Sequence, residues 1–303
     1  MAAATATAST SFSPPPCCSL RRRFHASPDR AATMPLPRLL LLTRHQLRHR
    51  LRRSAVSVAA SVKQEEILWT RAPVSVVEPA AESLFHVSVD LSDSPGLAAS
   101  YVAAGQYLQV RALECRPAFL AIASPPSPSG TKLEFLIKDI DGSAASLICR
   151  LRRGDVVELG PVMGKGFNIS EISPPESFSS VLIFATGSGI SPIRALIESG
   201  FDAKMRPDVR LYYGARNLQR MAYQDKFKDW EYSGVNVIPV LSQPDDRWTG
   251  EKGYVQAAFA RAKQILDPST TGAVLCGRKQ MAEDVTSILV ADGVSSKKIL
   301  KNF

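Results

Sequence analysis

Residues 180–200 read SVLIFATGSGISPIRALIESG, and the pattern changes twice along them. Val181 to Ala185 form an unbroken apolar run, as expected of a parallel strand buried on both faces. Gly187 and Gly189 then bracket Ser188, and from Ile190 apolar residues recur at helical spacing until Gly200. Pro192 suits a first helical turn, where a missing N–H costs nothing. A lone Gly-x-Gly marks only a turn. Between a buried strand and a helix it becomes the cradle for a dinucleotide pyrophosphate, because the strand end and the helix N–H groups converge there.

The sequence downstream repeats this alternation. Strand-like DVRLYYGAR (208–216), VNVIPVLS (235–242), GAVLCG (272–277) and KKILKNF (297–303) alternate with helical YQDKFKDWE (223–231), VQAAFARAKQIL (255–266) and KQMAEDVTSILVADG (279–293). Alternation of this kind builds a doubly wound parallel sheet. Upstream the pattern is different. Runs such as SLFHVSVDL (83–91), GQYLQVRAL (105–113), AFLAIAS (118–124), KLEFLIKDI (132–140) and GDVVELGPV (154–162) are short, rich in β-branched residues and separated by Pro, Gly, Ser and Asp. They predict an antiparallel β-barrel over 66–173, followed by an α/β domain over 178–303.

Charge is distributed as unevenly as pattern. The chain carries 37 Lys+Arg and 28 Asp+Glu, a formal net charge of +9. Residues 1–62 hold ten of the arginines against one acid, Asp29; removing that segment leaves 27 of each sign. A nucleic-acid binder is expected to keep its basic surplus on the folded part, so that class is set aside. The Ala-, Ser- and Arg-rich, acid-poor leader over 1–60 reads as an organellar transit peptide. Its Ser/Pro-rich start favours the chloroplast stroma, with the mitochondrion as the alternative. The longest apolar stretch of the leader, Leu39 to Leu42, is far too short to span a membrane. Cys115, Cys149 and Cys276 are scattered, and His86 is the single histidine beyond the leader. Metal centres, iron–sulfur clusters and catalytic triads are poor expectations from that set.

At three places the match becomes specific. ATGSGISPIRALI (185–197), LYYGARNLQRMAYQDKFKDWE (211–231) and VLCGRKQM (274–281), with GQYLQVR (105–111) and RRGDVVELGPVMGKGF (152–167) upstream, resemble the ferredoxin–NADP reductase-like flavoprotein family. Within it, they are most similar to a plant "fruit protein" subgroup. The resemblance covers about 66–303. It implies that the barrel binds FAD, that the α/β domain binds NADPH or NADH, and that the cofactors carry the chemistry. Carried over by position, Thr186, Gly187, Ser188 and Gly189 cradle the dinucleotide pyrophosphate, and Gly214 and Arg216 end the strand beside the adenosine ribose. Arg216 and Arg220 are candidate partners for a 2′-phosphate, which leans the reading to NADPH. Cys276 and Gly277 fall beside the nicotinamide, and Phe303 is placed to stack on the flavin.

One segment departs from the family. RPAFLAIASPP (116–126) stands where the family has Arg-x-Tyr-Ser, and aligning on Ile122, Ala123 and Ser124 puts Ala118, Leu120 and Ala121 at the arginine, tyrosine and serine positions. Arg116, two residues before Ala118, is the candidate replacement cation. Phe119, Leu120, Ala121, Ile122 and Ser124 are the expected flavin edge. Gly142, Ser143 and Ser146 form the expected second phosphate loop. A glutamate that plant-type members carry two residues from the end is Lys301 here. The resemblance therefore implies an FAD-dependent NAD(P)H oxidoreductase passing electrons to a small molecule or small redox protein, with ferredoxin itself doubtful. Three alternatives stay open: a flavin-poor nucleotide-sensing module, a ferredoxin–NADP reductase proper, and an electron-transfer subunit of a larger complex.

Overall fold

The computed structural model describes residues 67–127 and 129–301. The leader over 1–60 and Phe303 lie outside the described residues. Six antiparallel strands come first: β1 (Thr70–Ala81), β2 (Leu84–Asp90), β3 (Tyr107–Ala112), β4 (Ala118–Ala121), β5 (Lys132–Lys138) and β6 (Val156–Leu159). They line up in the order β4-β3-β6-β1-β2-β5. The two edges meet through an antiparallel bridge between Ile122 and Phe135, where the Ala123 N–H donates to the Glu134 carbonyl at 2.7 Å. Closure of this kind removes both sheet edges. Alternation along each strand fills the inside with Val87, Val89, Leu108, Val110, Phe135, Ile137 and Val157, all at most 1 % exposed. Two short helices belong to this half, α1 (Pro95–Ser100) and α2 (Ala144–Cys149), and both add residues to its core.

The second half contains β7 (Ser180–Thr186), α3 (Ile190–Glu198), β8 (Asp208–Ala215), α4 (Phe227–Tyr232), β9 (Asn236–Leu241), β10 (Glu251–Lys252), α5 (Val255–Arg261), β11 (Thr271–Cys276), α6 (Lys279–Ala291) and β12 (Ile299–Lys301). All strand pairings here are parallel, in the order β10-β9-β8-β7-β11-β12. The apolar run of β7 has the predicted cause. Val181, Ile183 and Ala185 belong to one apolar cluster with residues of α3 and α4, whereas Leu182 and Phe184 belong to another with α5 and α6. Strands covered on both faces carry apolar side chains on both.

Two of the helices show where the structure departs from the sequence expectation. The helix starting at Val255 ends at Arg261, whose guanidinium donates to the Lys252 carbonyl at 2.8 Å. Ile265 packs on the core outside that helix while Leu266 is 94 % exposed. Helix α1 was not expected, because six residues are too short for a periodic signal.

The two halves fall in one unit, residues 63–303. Leu84 and Leu136, from the outer surface of β2 and β5, are buried in the same cluster as Ile190 and Ile193 of α3. Beside them Arg194 of α3 makes a 2.7 Å ion pair with Glu134 of β5.

Candidate functional site: the crevice at the switch point

Strand order reverses between β7 and β11, and the crevice beyond their carboxyl ends is where open α/β sheets take ligands. Thr186–Gly189 follows β7 and Cys276–Gly277 follows β11, so sequence-distant candidates converge. The convergence is tight. A Cβ on Gly189 would lie 2.6 Å from the Cys276 carbonyl oxygen, and one on Gly277 would lie 2.1 Å from Thr186 Oγ1. The Thr186 hydroxyl accepts the Arg278 N–H at 3.1 Å, which fastens one loop to the other. Gly187 faces open space, with nothing within 4 Å of where a side chain would begin. Gly214, at the end of β8, is needed for packing: a Cβ there would meet Val255 Cγ1 at 2.8 Å.

The barrel enters this crevice at the end of β4. The Ser191 hydroxyl, in the first turn of α3, donates to the Ala121 carbonyl at 3.3 Å. The β3–β4 register pairs Val110 with Ala118, Leu108 with Leu120, and Gln109 with Phe119. Val110 and Leu108 point into the barrel, so Ala118 and Leu120 pack on its core and Phe119 points out. Phe119 is 64 % exposed, its ring centroid 6.2 Å from that of Tyr107, the partner of Ala121. Sequence alignment puts Leu120 at the ring-covering position; the pleat turns Leu120 onto the barrel core and Phe119 outward. Arg116 precedes the strand and is exposed. Ile122 is buried in the barrel core. Ser124 closes the barrel: its hydroxyl accepts the Glu134 N–H at 3.2 Å and its carbonyl accepts the Tyr101 hydroxyl at 2.7 Å. In the loop before α2, Gly142 has a positive φ of 74°, Ser143 accepts the Ser146 N–H at 3.1 Å, and the Ser146 hydroxyl is buried without a partner.

At the far side, the carboxyl ends of β8 and β9 border a cavity of about 200 Å³ lined by Asn217, Leu218, Gln219, Leu241, Gln243, Pro244 and Asp245. Arg216 is exposed beside it. Arg220 is not: its guanidinium is paired with Glu82 of the β1–β2 turn. Ser188, at the middle of the glycine loop, is exposed at the crevice mouth.

Sequence reasoning missed the ionic cluster at the seam. Arg194, 7 % exposed, holds Glu134 at 2.7 Å and Glu198 at 3.0 Å, and lies 5.1 Å from the Tyr223 ring centre. The Trp230 indole N–H and Lys226 also reach Glu198, at 3.4 and 3.6 Å. Burial pushes the Glu134 carboxyl up, but Lys132 and Arg194 outweigh it and hold the group below its ordinary value. Only the i,i+4 pair Arg194–Glu198 had a local signal; Glu134 is sixty positions away in the chain.

Residues 183–287 match the family model described as oxidoreductase NAD-binding domain. The chain is 51 % identical over 256 residues to a fruit protein, pKIWI502, of Actinidia deliciosa, covering 82 % of this chain and 81 % of that protein. It is 25 % identical over 164 residues to the chloroplastic leaf isozyme 1 of ferredoxin–NADP reductase from Oryza sativa subsp. indica, covering 50 % of this chain and 44 % of that one. A ferredoxin NADP+ reductase from Neisseria gonorrhoeae, solved with bound FAD and NADP, shares the fold with a TM-score of 0.64 at 18 % identity, over 78 % of this chain and 99 % of that chain. Among the described residues, no helix is long and apolar enough to cross a membrane.

Proposed function

The chain belongs to the ferredoxin–NADP reductase-like family of flavoprotein oxidoreductases, in its plant fruit-protein subgroup, and from that premise we propose an NAD(P)H diaphorase whose acceptor is not ferredoxin. The observation that carries the reading is the Ser191–Ala121 hydrogen bond, which holds the first turn after the glycine loop against the flavin edge of the barrel. Hydride transfer needs two rings brought face to face, and positioning supplies most of what a protein adds to such chemistry.

The residues fit both groups. Ser146 offers a buried hydroxyl with no partner, next to a loop that turns through a positive-φ glycine, for an FAD phosphate. Phe119 and Tyr107 offer an exposed aromatic platform for a flat ring. Gly187 leaves room above the loop for the dinucleotide pyrophosphate. When bound, FAD supplies the hydride acceptor and the outlet that releases electrons. The chain itself binds, orients and excludes water.

Ala121 carries no hydroxyl and Lys301 stands where plant-type relatives have an acid, so the hydroxyl and carboxylate of a ferredoxin reductase's proton relay are replaced at those positions. A small molecule, or a small redox protein that needs no such relay, fits better as acceptor. The arginine-rich leader and the plant relatives support a plastid location. The test is a spectrum of the full-length protein, then anaerobic addition of NADH or NADPH with a one-electron dye and, separately, ferredoxin. Flavin bands that bleach with nucleotide, fast dye reduction and slow ferredoxin reduction are expected. A colourless protein that takes up no added FAD overturns the reading.

A further inference from the structure

We propose that Glu82 is a selectivity gate that keeps Arg220 from a 2′-phosphate, so that this chain takes NADH in preference to NADPH. The inference rests on the dinucleotide reading of the switch-point crevice, and asks which dinucleotide. Arg220 ends a short 3-10 turn, Leu218–Arg220, that begins at Asn217. Asn217, Leu218 and Gln219 line the cavity beside β8 and β9, where the resemblance puts the adenosine ribose. The turn is fixed from within, since Asn217 Oδ1 accepts the Arg220 N–H at 3.1 Å. It is fixed from the barrel at two points. The Gln219 carbonyl accepts the Glu82 N–H at 2.6 Å, and the Glu82 carboxylate takes the Arg220 guanidinium. The next residue, Ser83, has φ 62°, so the hairpin tip is shaped to present Glu82 in this direction.

The charge that remains at the cavity fits a ribose diol and opposes a phosphate. Asp245 lines it, Asp246 follows in the chain, and Arg247 sits 3.8 Å from Asp245. Arg216, exposed beside the cavity, makes no salt bridge at contact distance among the described residues, but its charge also attracts the Glu82 carboxylate. A carboxylate with the Asn217 and Gln243 amides offers acceptors and donors to a 2′-hydroxyl. A 2′-phosphate carries close to two negative charges and needs guanidinium partners. Here it would compete with Glu82 for one of them and face Asp245 as well. The Arg220 pairing holds the Glu82 carboxyl below its ordinary value, so the gate stays charged at neutral pH.

Full-length protein titrated calorimetrically with 5′-ADP and with adenosine 2′,5′-bisphosphate tests this without any turnover. Wild type is expected to bind 5′-ADP at least as tightly as the bisphosphate. Glu82→Gln keeps the backbone anchor, is half-exposed and should fold. It is expected to raise bisphosphate affinity about tenfold, the scale of one freed charge-assisted pair, and to leave 5′-ADP unchanged. Adding Arg220→Gln to that variant should erase the gain. Tighter wild-type binding of the bisphosphate, or an E82Q change that is equal for both ligands or absent, overturns the gate. Binding of neither ligand would instead sink the dinucleotide reading itself, and the gate with it.

Discussion

Phe119 is nearly two-thirds exposed, although the residues on either side of it, Ala118 and Leu120, pack on the barrel interior. On the proposed function, that exposed ring, beside Tyr107, is the platform for a flat cofactor ring. Phe119→Ala is expected to weaken FAD binding about tenfold with little effect on the fold, since the lost contact is ring on ring. Leu120→Ala should do the reverse, costing about 2 kcal/mol of stability through an unfilled core site while folded protein keeps its flavin affinity. FAD titration of the apoprotein by fluorescence, beside urea midpoints, separates the two. If Leu120→Ala rather than Phe119→Ala releases flavin, the side-chain alternation assigned to β4 is wrong. Gly189 makes a second case. Any Cβ would press on the Cys276 carbonyl, so Gly189→Ala must push the β7 and β11 loops apart. It is expected to cost about 2 kcal/mol of stability, within the range for overpacked sites, and to abolish measurable NADH binding. A thermal melt and an NADH titration check both.

Elements were far more legible in the sequence than contacts between them. Val181 to Ala185 announced a strand covered on both faces, and the two clusters that receive alternate residues of β7 are the physical content of that signal. Glycine after the strand and helical spacing after the glycine placed the turn Gly187–Gly189 and the helix that follows it. What the sequence did not carry was strand parity at β4, because a four-residue strand of Ala, Phe, Leu and Ala has no polar side to mark its face. It was also silent on long-range pairing. Glu82 and Arg220 are 138 positions apart, and each alone reads as surface charge. The closure of the barrel belongs to this class. Ser124 sits in a flavin-like motif, yet its hydroxyl accepts the buried Glu134 N–H where β4 runs out and β5 takes over. Ser124→Ala is therefore expected to destabilise the barrel by about 1–2 kcal/mol, the cost of one orphaned buried donor. Chemical denaturation of the variant should show that loss while FAD affinity of the folded protein stays within about twofold, far less than the loss of a ring contact.

At the scale of the whole molecule, the barrel and the α/β half are joined by a seam whose polar part is ionisable, so their union should depend on pH. Arg194 bridges Glu134 of the barrel to Glu198 of its own helix in a site that is nearly closed to water. Arg194→Met should cost about 3 kcal/mol, because it leaves Glu134 buried with only the exposed Lys132 to pair it. Half-buried His86 on β2 shares this environment with Glu134, Arg194, Glu78 and Lys132. Its pKa is lowered from 6.5, chiefly by burial and also by Arg194 and Lys132, against the pull of Glu134 and Glu78. The folded state thus binds this proton less readily than the unfolded chain does. Stability is whole above the ordinary histidine value of 6.5 and declines as pH falls from there toward the folded pKa. Glu134, also lowered, adds a second loss with the same sign once pH falls below its ordinary 4.5, as the carboxylate is protonated and the bridge to Arg194 opens. Urea midpoints taken stepwise from neutral to acid pH should fall in two stages. His86→Gln is expected to flatten the upper stage and keep the lower, because an uncharged amide has no proton to gain there. Arg194→Met should lower the midpoint at every pH and blunt the lower stage, since Glu134 then has less attraction left to lose. A midpoint that rises on acidification would mean that the seam is held by contacts other than these charges.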